Sequence, residues 1–538
     1  MMRLSCTLLL LGLSSPSWAG VTVQQAGLVV PAAYASRRDD AQKIFVTSYN
    51  AYKEFTFGHD DLSPVSEGFS DGRNGWGASI VDAMPTMFIM GLEDIFEEAV
   101  NFSSTIDFSK SQTLFETTIR YIGGLLSSYE LSGEKYPVLV AKAKEVADKM
   151  AFGWVGSNEM PYGFMDFSTN TPTIDTSNIA KAGTLSLEWF TLSKYTGNTT
   201  YADLTAKSVK HIANLASPLP GLAAQGIDPT SGNAVGSYVT WGGGSDSYFE
   251  YLIKYARLTN TDDPIYLDTW KARSLRGTAV DSSIKTLLRN STVGNHLYFA
   301  DFDGSSIRHV GSHLACFHAG NWLLGGKLLG NQTIINIALE LNEGCWNTYA
   351  STATGIGPEA FAFISSDGNY TGGNRISASQ LQFYNQHRFY ITSSAYIMRP
   401  EVLESNFHAW RVTGDTKYLD RAAGAIDSFN KFLPTTIAFT ALNDVDSING
   451  GFIDDMESFW FAEVLKYLYL TFDDPVHISL DNYVFNTECQ PFKAPSALDS
   501  YNGKLVPAEP FTVQSGSLPE ISPNPFLPMP LKKIINPE

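Results

Sequence analysis

Positive charge is scarce in this 538-residue chain: 37 Lys and Arg stand against 55 Asp and Glu, a formal net charge of −18. Binding a nucleic-acid backbone needs a basic face that displaces counterions, so that class of partner is excluded. No uncharged apolar run reaches the roughly 20 residues that span a bilayer, which leaves no transmembrane anchor. The sequence also lacks a GxSxG elbow, an HExxH zinc motif and a phosphate-cradling glycine loop. It has no repeat of fixed period, which argues against TPR or HEAT arrays. Between about residue 40 and residue 490 no Gly/Ser/Pro-rich linker interrupts it, so one large domain is expected.

Cysteine is rare too, with four in all. The opening MMRLSCTLLLLGLSSPSWAG carries one Arg, an apolar run and a small-x-small ending at Ser17-Trp18-Ala19. That pattern predicts a signal peptide over residues 1–19 and a secreted or secretory-pathway lumenal protein. Cys6 would leave with it, so Cys316, Cys345 and Cys489 remain where pairing is favoured, with one left over. Asn101, Asn198, Asn290, Asn331 and Asn369 each head an Asn-x-Ser/Thr sequon, and are expected to be exposed glycosylation acceptors. The Pro-rich end, PEISPNPFLPMPLKKIINPE, lacks periodicity and reads as an extension, which assigns 496–538 to a tail.

What is abundant is helical periodicity. In TLFETTIRYIGGLLSSYELSG, Phe115, Ile119, Ile122 and Leu126 recur at three- and four-residue intervals. Similar segments recur from 40–57 and 78–100 through 313–329 to 401–410 and 455–471, separated by Gly-, Pro- and Asn-rich loops with short β-prone pieces. Many helices in one uninterrupted domain point to a bundle, solenoid or toroid.

Several stretches set acids beside arginines or aromatics. Glu116 and Arg120 are i and i+4, which by itself reads as a solvated ion pair. Asp246 and Glu250 share that spacing with like charge, although Asp246 also suits a helix N-cap. In RPEVLES, Pro400 at the first helical position would place Glu401 and Glu404 in an opening turn beside Arg399. GIGPE, with Pro358 before Glu359, resembles the same device. Glu457 and Glu463 flank Phe459 and Trp460, rings that could carry a sugar face or simply pack in a core. Lone histidines such as His318 and His408 read as structural. Together, carboxylates on separate helices with interleaved aromatics match glycosidic hydrolysis, which needs one acid for the leaving oxygen and one carboxylate for the attack.

The ordered set DGRNGWGASIVDAM, FETTIRYIGGLLSSYELSG, DSYFEYLIK, GIGPE, RPEVLES, DDMESFWFAEVLKYLYL and FNTE, spread over roughly residues 40 to 492, resembles the class I α-mannosidases of glycoside hydrolase family 47, most of all the secreted fungal 1,2-α-mannosidases. The resemblance implies an all-α (α/α)7 barrel over 36–495, with short β pieces in its loops and a C-terminal segment plugging it. It also implies bound Ca²⁺ and inverting removal of terminal α-1,2-linked mannose from high-mannose N-glycans, by a protein expected to be monomeric. Glu116 and Asp246 match the two positions considered for the acid, and Glu401 the base that activates water. Arg120, Glu359, Arg399, Glu404, Phe459, Glu463 and Glu488 match positions lining the glycan and metal site. Thr487 matches the residue whose carbonyl and hydroxyl ligate Ca²⁺. Cys316 and Cys345 match the family's disulfide, leaving Cys489 as the odd thiol. Inversion implies acid and base carboxyls about 6.5–9.5 Å apart.

Four positions depart from the family's pattern. Lys181 stands where a glutamate is common, Pro85 where a second acid is usual, Gln490 where a histidine is common, and Gly244 where the stricter endoplasmic-reticulum enzymes carry arginine. Gly244 implies tolerance of several mannose branches. Lys181 and Pro85 motivate the alternative expectation, a mannosidase-like lectin that recognises misfolded glycoproteins with little turnover.

Overall fold

The computed structural model describes residues 20–109, 112–271, 278–373 and 375–501. The expected signal peptide and most of the expected tail lie outside them.

Seven helices form a closed inner ring: Ala78–Ile89, Gly123–Leu131, Ser186–Thr196, Asp246–Thr259, His318–Leu328, Glu401–Thr413 and Leu465–Phe472. Each packs on the next, and the π-helical turn Trp460–Val464 that leads into the last packs back on the first. Each also packs on an outer helix, in order Glu93–Ser103, Pro137–Met150, Thr200–Ala213, Ile265–Lys271, Gln332–Ala350, Lys417–Phe432 and Ala35–Thr56. This is the expected (α/α)7 toroid.

Sequence explains the layering. Outer helices are amphipathic: in Lys417–Phe432 the buried residues include Leu419, Ala422, Ala423, Ile426 and Phe429, one stripe at three- and four-residue spacing. Inner helices are enclosed on all sides, so apolar and small residues run right round them, as in Ala78–Ile89 and His318–Leu328. The segment 78–100, expected as one helix, is two. The chain turns between them at Gly91, whose φ of 71° a side chain would resist.

Pro85 lies inside the first inner helix. Lacking an N–H, it leaves the Val81 carbonyl without its helical donor. Gly124 packs against that carbonyl so closely that a Cβ there would meet Val81 O at 2.5 Å.

Short antiparallel sheets fill the loops, and the last is the hairpin Tyr483–Phe485 with Pro491–Lys493. Its strands pack on the inner helices Asp246–Thr259 and Gly123–Leu131, and its tip, residues 486–490, plugs the ring. Asn486 fastens the tip: its Nδ2 donates to Ile119 O (3.0 Å) and Glu188 Oε1 (2.8 Å), while its Oδ1 accepts from the backbone of Glu488 and Gln490. Lys466 Nζ donates to Cys489 O (2.6 Å) and Gln490 Oε1 (3.0 Å), and Gln490 Nε2 donates to Asp82, so glutamine fills this place with every polar group engaged.

Residues ahead of the first outer helix join the same body. Val23 is fully buried, and its N–H donates to Asp481 Oδ1 (2.6 Å). Cys316 and Cys345 are disulfide-bonded, and Cys489 is a free, buried thiol.

Candidate active site

The helical ring brings carboxylates from separate helices within electrostatic reach of one another. Arg120 organises one side. Its Nε donates to Glu116 Oε2 (2.7 Å), and one terminal nitrogen reaches Asp82 (3.2 Å), Ser458 Oγ (3.3 Å) and, very closely, Glu488. The guanidinium carbon stands 5.5 Å from the Phe459 ring centre. Arg120 is only 6% exposed, so the solvated ion pair suggested by its spacing is instead a buried hub. It lies in a π-helical turn, Thr117–Ile122, as Glu463 does in Trp460–Val464. Such turns widen a helix locally and often mark functional sites.

Arg73, in the motif DGRNGWG, bridges Asp61 (2.8 Å) and Glu457 (2.9 Å) and stands 4.0 Å from Glu116. Burial alone would raise the Glu116 pKa, but Arg120 and Arg73, with a contribution from Lys181, hold it below the usual value. Lys181 therefore lies within electrostatic reach of Glu116, while burial lowers its own pKa.

On the opposite side, Glu401 begins an inner helix, with Pro400 one position earlier than the sequence suggests, at the N-cap. His313 Nδ1 lies 2.7 Å from Glu401 Oε2, and His313 Nε2 lies 2.7 Å from Tyr349 OH. Arg399 approaches the other Glu401 oxygen at 3.7 Å and donates from Nε to both Glu359 oxygens at 2.8 Å. Burial raises the Glu401 pKa, yet the His313 contact and the Arg399 charge more than offset it, leaving the carboxylate ionised near neutral pH. Glu359 precedes a strand, Ala360–Ala362, so GIGPE does not open a helix.

Asp246 is the first residue of its helix rather than the N-cap, which is Ser245. Its Oδ1 accepts from Ser247 N–H (2.8 Å), but burial, with the negative charges of Glu250 and Glu401, pushes its pKa up to about 7. Glu250 is paired closely with Lys254 one turn on, which relieves the like-charge spacing. Burial raises the pKa values of Glu404 and Glu463 as well, and both interact with Glu401. The site thus holds two carboxylates kept ionised by cations, Glu116 and Glu401, and a third, Asp246, poised to carry a proton.

Near the plug tip, the Tyr251 hydroxyl donates to Glu188 Oε1 (2.6 Å) and accepts from Thr487 N–H (3.3 Å). Glu188 Oε2 is buried with no partner, and no described residue donates to the hydroxyl or carbonyl oxygen of Thr487.

His313, Tyr349, Arg73 and Glu188 are site residues that sequence reasoning did not single out. Arg73 sits inside a motif that was recognised, whereas a lone His313 carries no local signal of the Glu401 it meets 88 residues away. Among the expected glycosylation acceptors, Asn101, Asn198 and Asn369 are exposed and Asn290 is half-buried. Asn331 is 4% exposed, and its side-chain oxygen accepts from Ile334 N–H (3.2 Å) as a helix N-cap. That burial corrects the expectation of an exposed acceptor at Asn331.

A family profile described as "Glycosyl hydrolase family 47" matches residues 44–494. The chain is 39% identical over 486 residues to "Mannosyl-oligosaccharide alpha-1,2-mannosidase 1B" of Aspergillus phoenicis, covering 86% of this chain and 92% of the relative. It is 38% identical over 483 residues to "Mannosyl-oligosaccharide alpha-1,2-mannosidase" of Coccidioides posadasii, covering 85% and 90%. In three dimensions it superposes on "alpha-1,2-mannosidase from Trichoderma reesei" with a TM-score of 0.81 at 35% identity, covering 86% of this chain and 99% of that one.

Proposed function

Because the chain belongs to glycosyl hydrolase family 47, we propose that it is an exo-acting 1,2-α-mannosidase that removes terminal mannose from high-mannose N-glycans with inversion. The observation that carries this reading is the division of labour among three carboxylates. Glu401 is held ionised by His313 and Arg399, as a base that takes a proton from water requires. Asp246, with its pKa near 7, suits the acid that protonates the leaving oxygen. Glu116, the other candidate, is held ionised against Arg120 and Arg73, which suits it to fixing those guanidiniums rather than delivering a proton.

A hard cation fits the plug tip. Thr487 offers two oxygens without a described donor, and Glu188 a buried oxygen without a partner. Among the described residues no three His, Cys, Asp or Glu side chains converge as a direct ligand set. Protein ligation of Ca²⁺ would therefore come from Thr487, with waters held by carboxylates completing the shell. When bound, the cation supplies positive charge and oxygen coordination that hold the sugar's hydroxyls. The chain itself supplies Phe459 as an apolar face and Arg120 with Glu463 as polar contacts for the terminal sugar.

The lectin reading loses its motivation here. Pro85 is accommodated by Gly124, and Lys181 adds to the field on Glu116 without displacing Arg120 or Arg73. Secretory-lumen residence and glycosylation at Asn101, Asn198 and Asn369 accord with the disulfide, and no described helix is long and apolar enough to cross a membrane. Residues 36–495 stand as the catalytic domain in this reading.

Incubation with α-1,2-linked mannobiose, with and without a chelator, tests it. Mannose release that stops with chelator and returns with Ca²⁺ is expected. No release at high enzyme and saturating Ca²⁺ would sink the proposal.

A further inference from the structure

Asp60 is fully buried, and its carboxylate accepts hydrogen bonds from five groups. One oxygen, Oδ2, takes the backbone N–H of Arg73 (2.7 Å) and of Gly75 (2.8 Å). The other, Oδ1, takes those of Trp76 (3.0 Å) and Ala78 (3.1 Å) and the Tyr121 hydroxyl (3.3 Å). The backbone of DGRNGWG bends around it, with φ at +69° for Asn74, +67° for Gly75 and +72° for Gly77, a region that glycine and asparagine enter most readily. Successive N–H groups turned inward by such a bend form a nest for an anion, and here the anion is a side chain of the same protein. Ala78 also opens the helix Ala78–Ile89, so the carboxylate satisfies a donor that the helix leaves free.

None of the five donors is a group that the proposed reaction uses directly, but the elements that carry them reach the groups it does use. Arg73 spreads its guanidinium between Asp61 (2.8 Å) and Glu457 (2.9 Å), with Glu116 at 4.0 Å. Asp60 and Asp61 thus divide one arginine between them, the first taking its backbone and the second its side chain. Tyr121 follows Arg120 in the π-helical turn Thr117–Ile122, so one carboxylate ties together the loop and the turn whose two guanidiniums hold Glu116 ionised. The helix that begins at Ala78 carries Asp82 one turn on, and Asp82 meets Arg120 at 3.2 Å.

The nest needs both oxygens. Asparagine has nearly the same shape, yet its amide nitrogen accepts nothing, so at least two inward N–H groups would meet a donor. We propose that Asp60 is a positioning residue of the active site, setting the loop that holds Arg73 against Glu116 and Glu457. The inference rests on the mannosidase reading.

With the full chain and Ca²⁺, kcat/KM on α-1,2-mannobiose is measured across pH for the unaltered protein, Asp60→Asn, Arg73→Gln and the double variant, with circular dichroism to check that each is folded. The groups within reach of Glu116 are Arg120, Arg73 and Lys181, with Glu488 beyond Arg120, so a displaced Arg73 weakens the field that keeps Glu116 ionised. Asp60→Asn is therefore expected to lower kcat/KM about tenfold and to move the acid limb of the profile toward neutral pH. Arg73→Gln should do the same, and the double variant should match Arg73→Gln alone within about twofold, because the two residues act as a unit. Losses that multiply in the double variant, or an acid limb that stays in place in Asp60→Asn, would overturn the positioning role. Where Asp60→Asn does not fold, Tyr121→Phe decides, since it removes only the hydroxyl that reaches Asp60 and, at 3.5 Å, Arg73 O. Its acid limb should move the same way, and not at all in the Arg73→Gln background; an unmoved limb in the single variant would overturn the role. Failure of the unaltered protein to release mannose would instead overturn the mannosidase reading.

Discussion

His313 and Glu401, 88 residues apart, share a 2.7 Å hydrogen bond, and the far nitrogen of the same ring lies 2.7 Å from the Tyr349 hydroxyl. The ring therefore fixes the orientation of the proposed base and, through its contact and its charge when protonated, favours the ionised form. The backbone locks this arrangement, since Cys316 N–H donates to His313 O (3.0 Å) and Cys316 is tied to Cys345.

Replacing the ring should therefore misplace the base without removing it. His313→Ala is expected to lower kcat by about 100-fold with a smaller change in KM, because small misplacements of a catalytic group cost that much. Steady-state kinetics on mannobiose measures it, and the acid limb of the pH profile should move up as Glu401 loses its partner.

The pKa directions fix the shape of that profile in the unaltered protein. Glu401 is lowered, so activity should fall only when pH drops below the ordinary carboxylate range. Asp246 must be protonated to act as the acid and is raised to about 7, so activity should fall as pH climbs through that value. A bell with its alkaline limb near 7 is expected in kcat/KM.

Lys181→Glu separates the two candidate acids. The substitution replaces a positive charge within electrostatic reach of Glu116 with a negative one, so the Glu116 pKa should rise. With Asp246 as the acid, Glu116 must stay ionised, and the acid limb shifts toward neutral pH while the alkaline limb stays. An alkaline limb that moves instead would assign the acid role to Glu116.

Stability has a distinct anchor in Arg411, which is fully buried and donates to Gln24 Oε1 (2.7 Å), Leu470 O (2.7 Å), Pro475 O (2.9 Å) and Ile478 O (3.3 Å). It stitches the N-terminal segment to the last inner helix and the approach to the plug. Arg411→Met should cost about 3 kcal/mol or more, since buried acceptors are left unpaired. Denaturant unfolding with unchanged m-value measures it.

Much of the fold was legible because amphipathic periodicity marks the outer helices and the motif order marks the family. Less legible were the short helices Ile265–Lys271 and Ala378–His387, whose few turns give no sustained period, and the division of 78–100 at Gly91. The candidate carboxylates were readable at Glu116, Asp246 and Glu401 because each sits in a recognisable motif. Their protonation states were not, because those of Glu116 and Glu401 depend on Arg73, His313 and Lys181 arriving from distant segments, and that of Asp246 on burial. Asn331 shows the converse: its sequon is complete in sequence, yet the same asparagine is used as a buried cap.

The proposed roles of Asp246 and Glu401 make one demand on the product, that water attack the face opposite the leaving oxygen. Proton NMR of the first mannose released, recorded before mutarotation, reads it directly. β-Mannose is the predicted signal, and initial α-mannose would contradict the account.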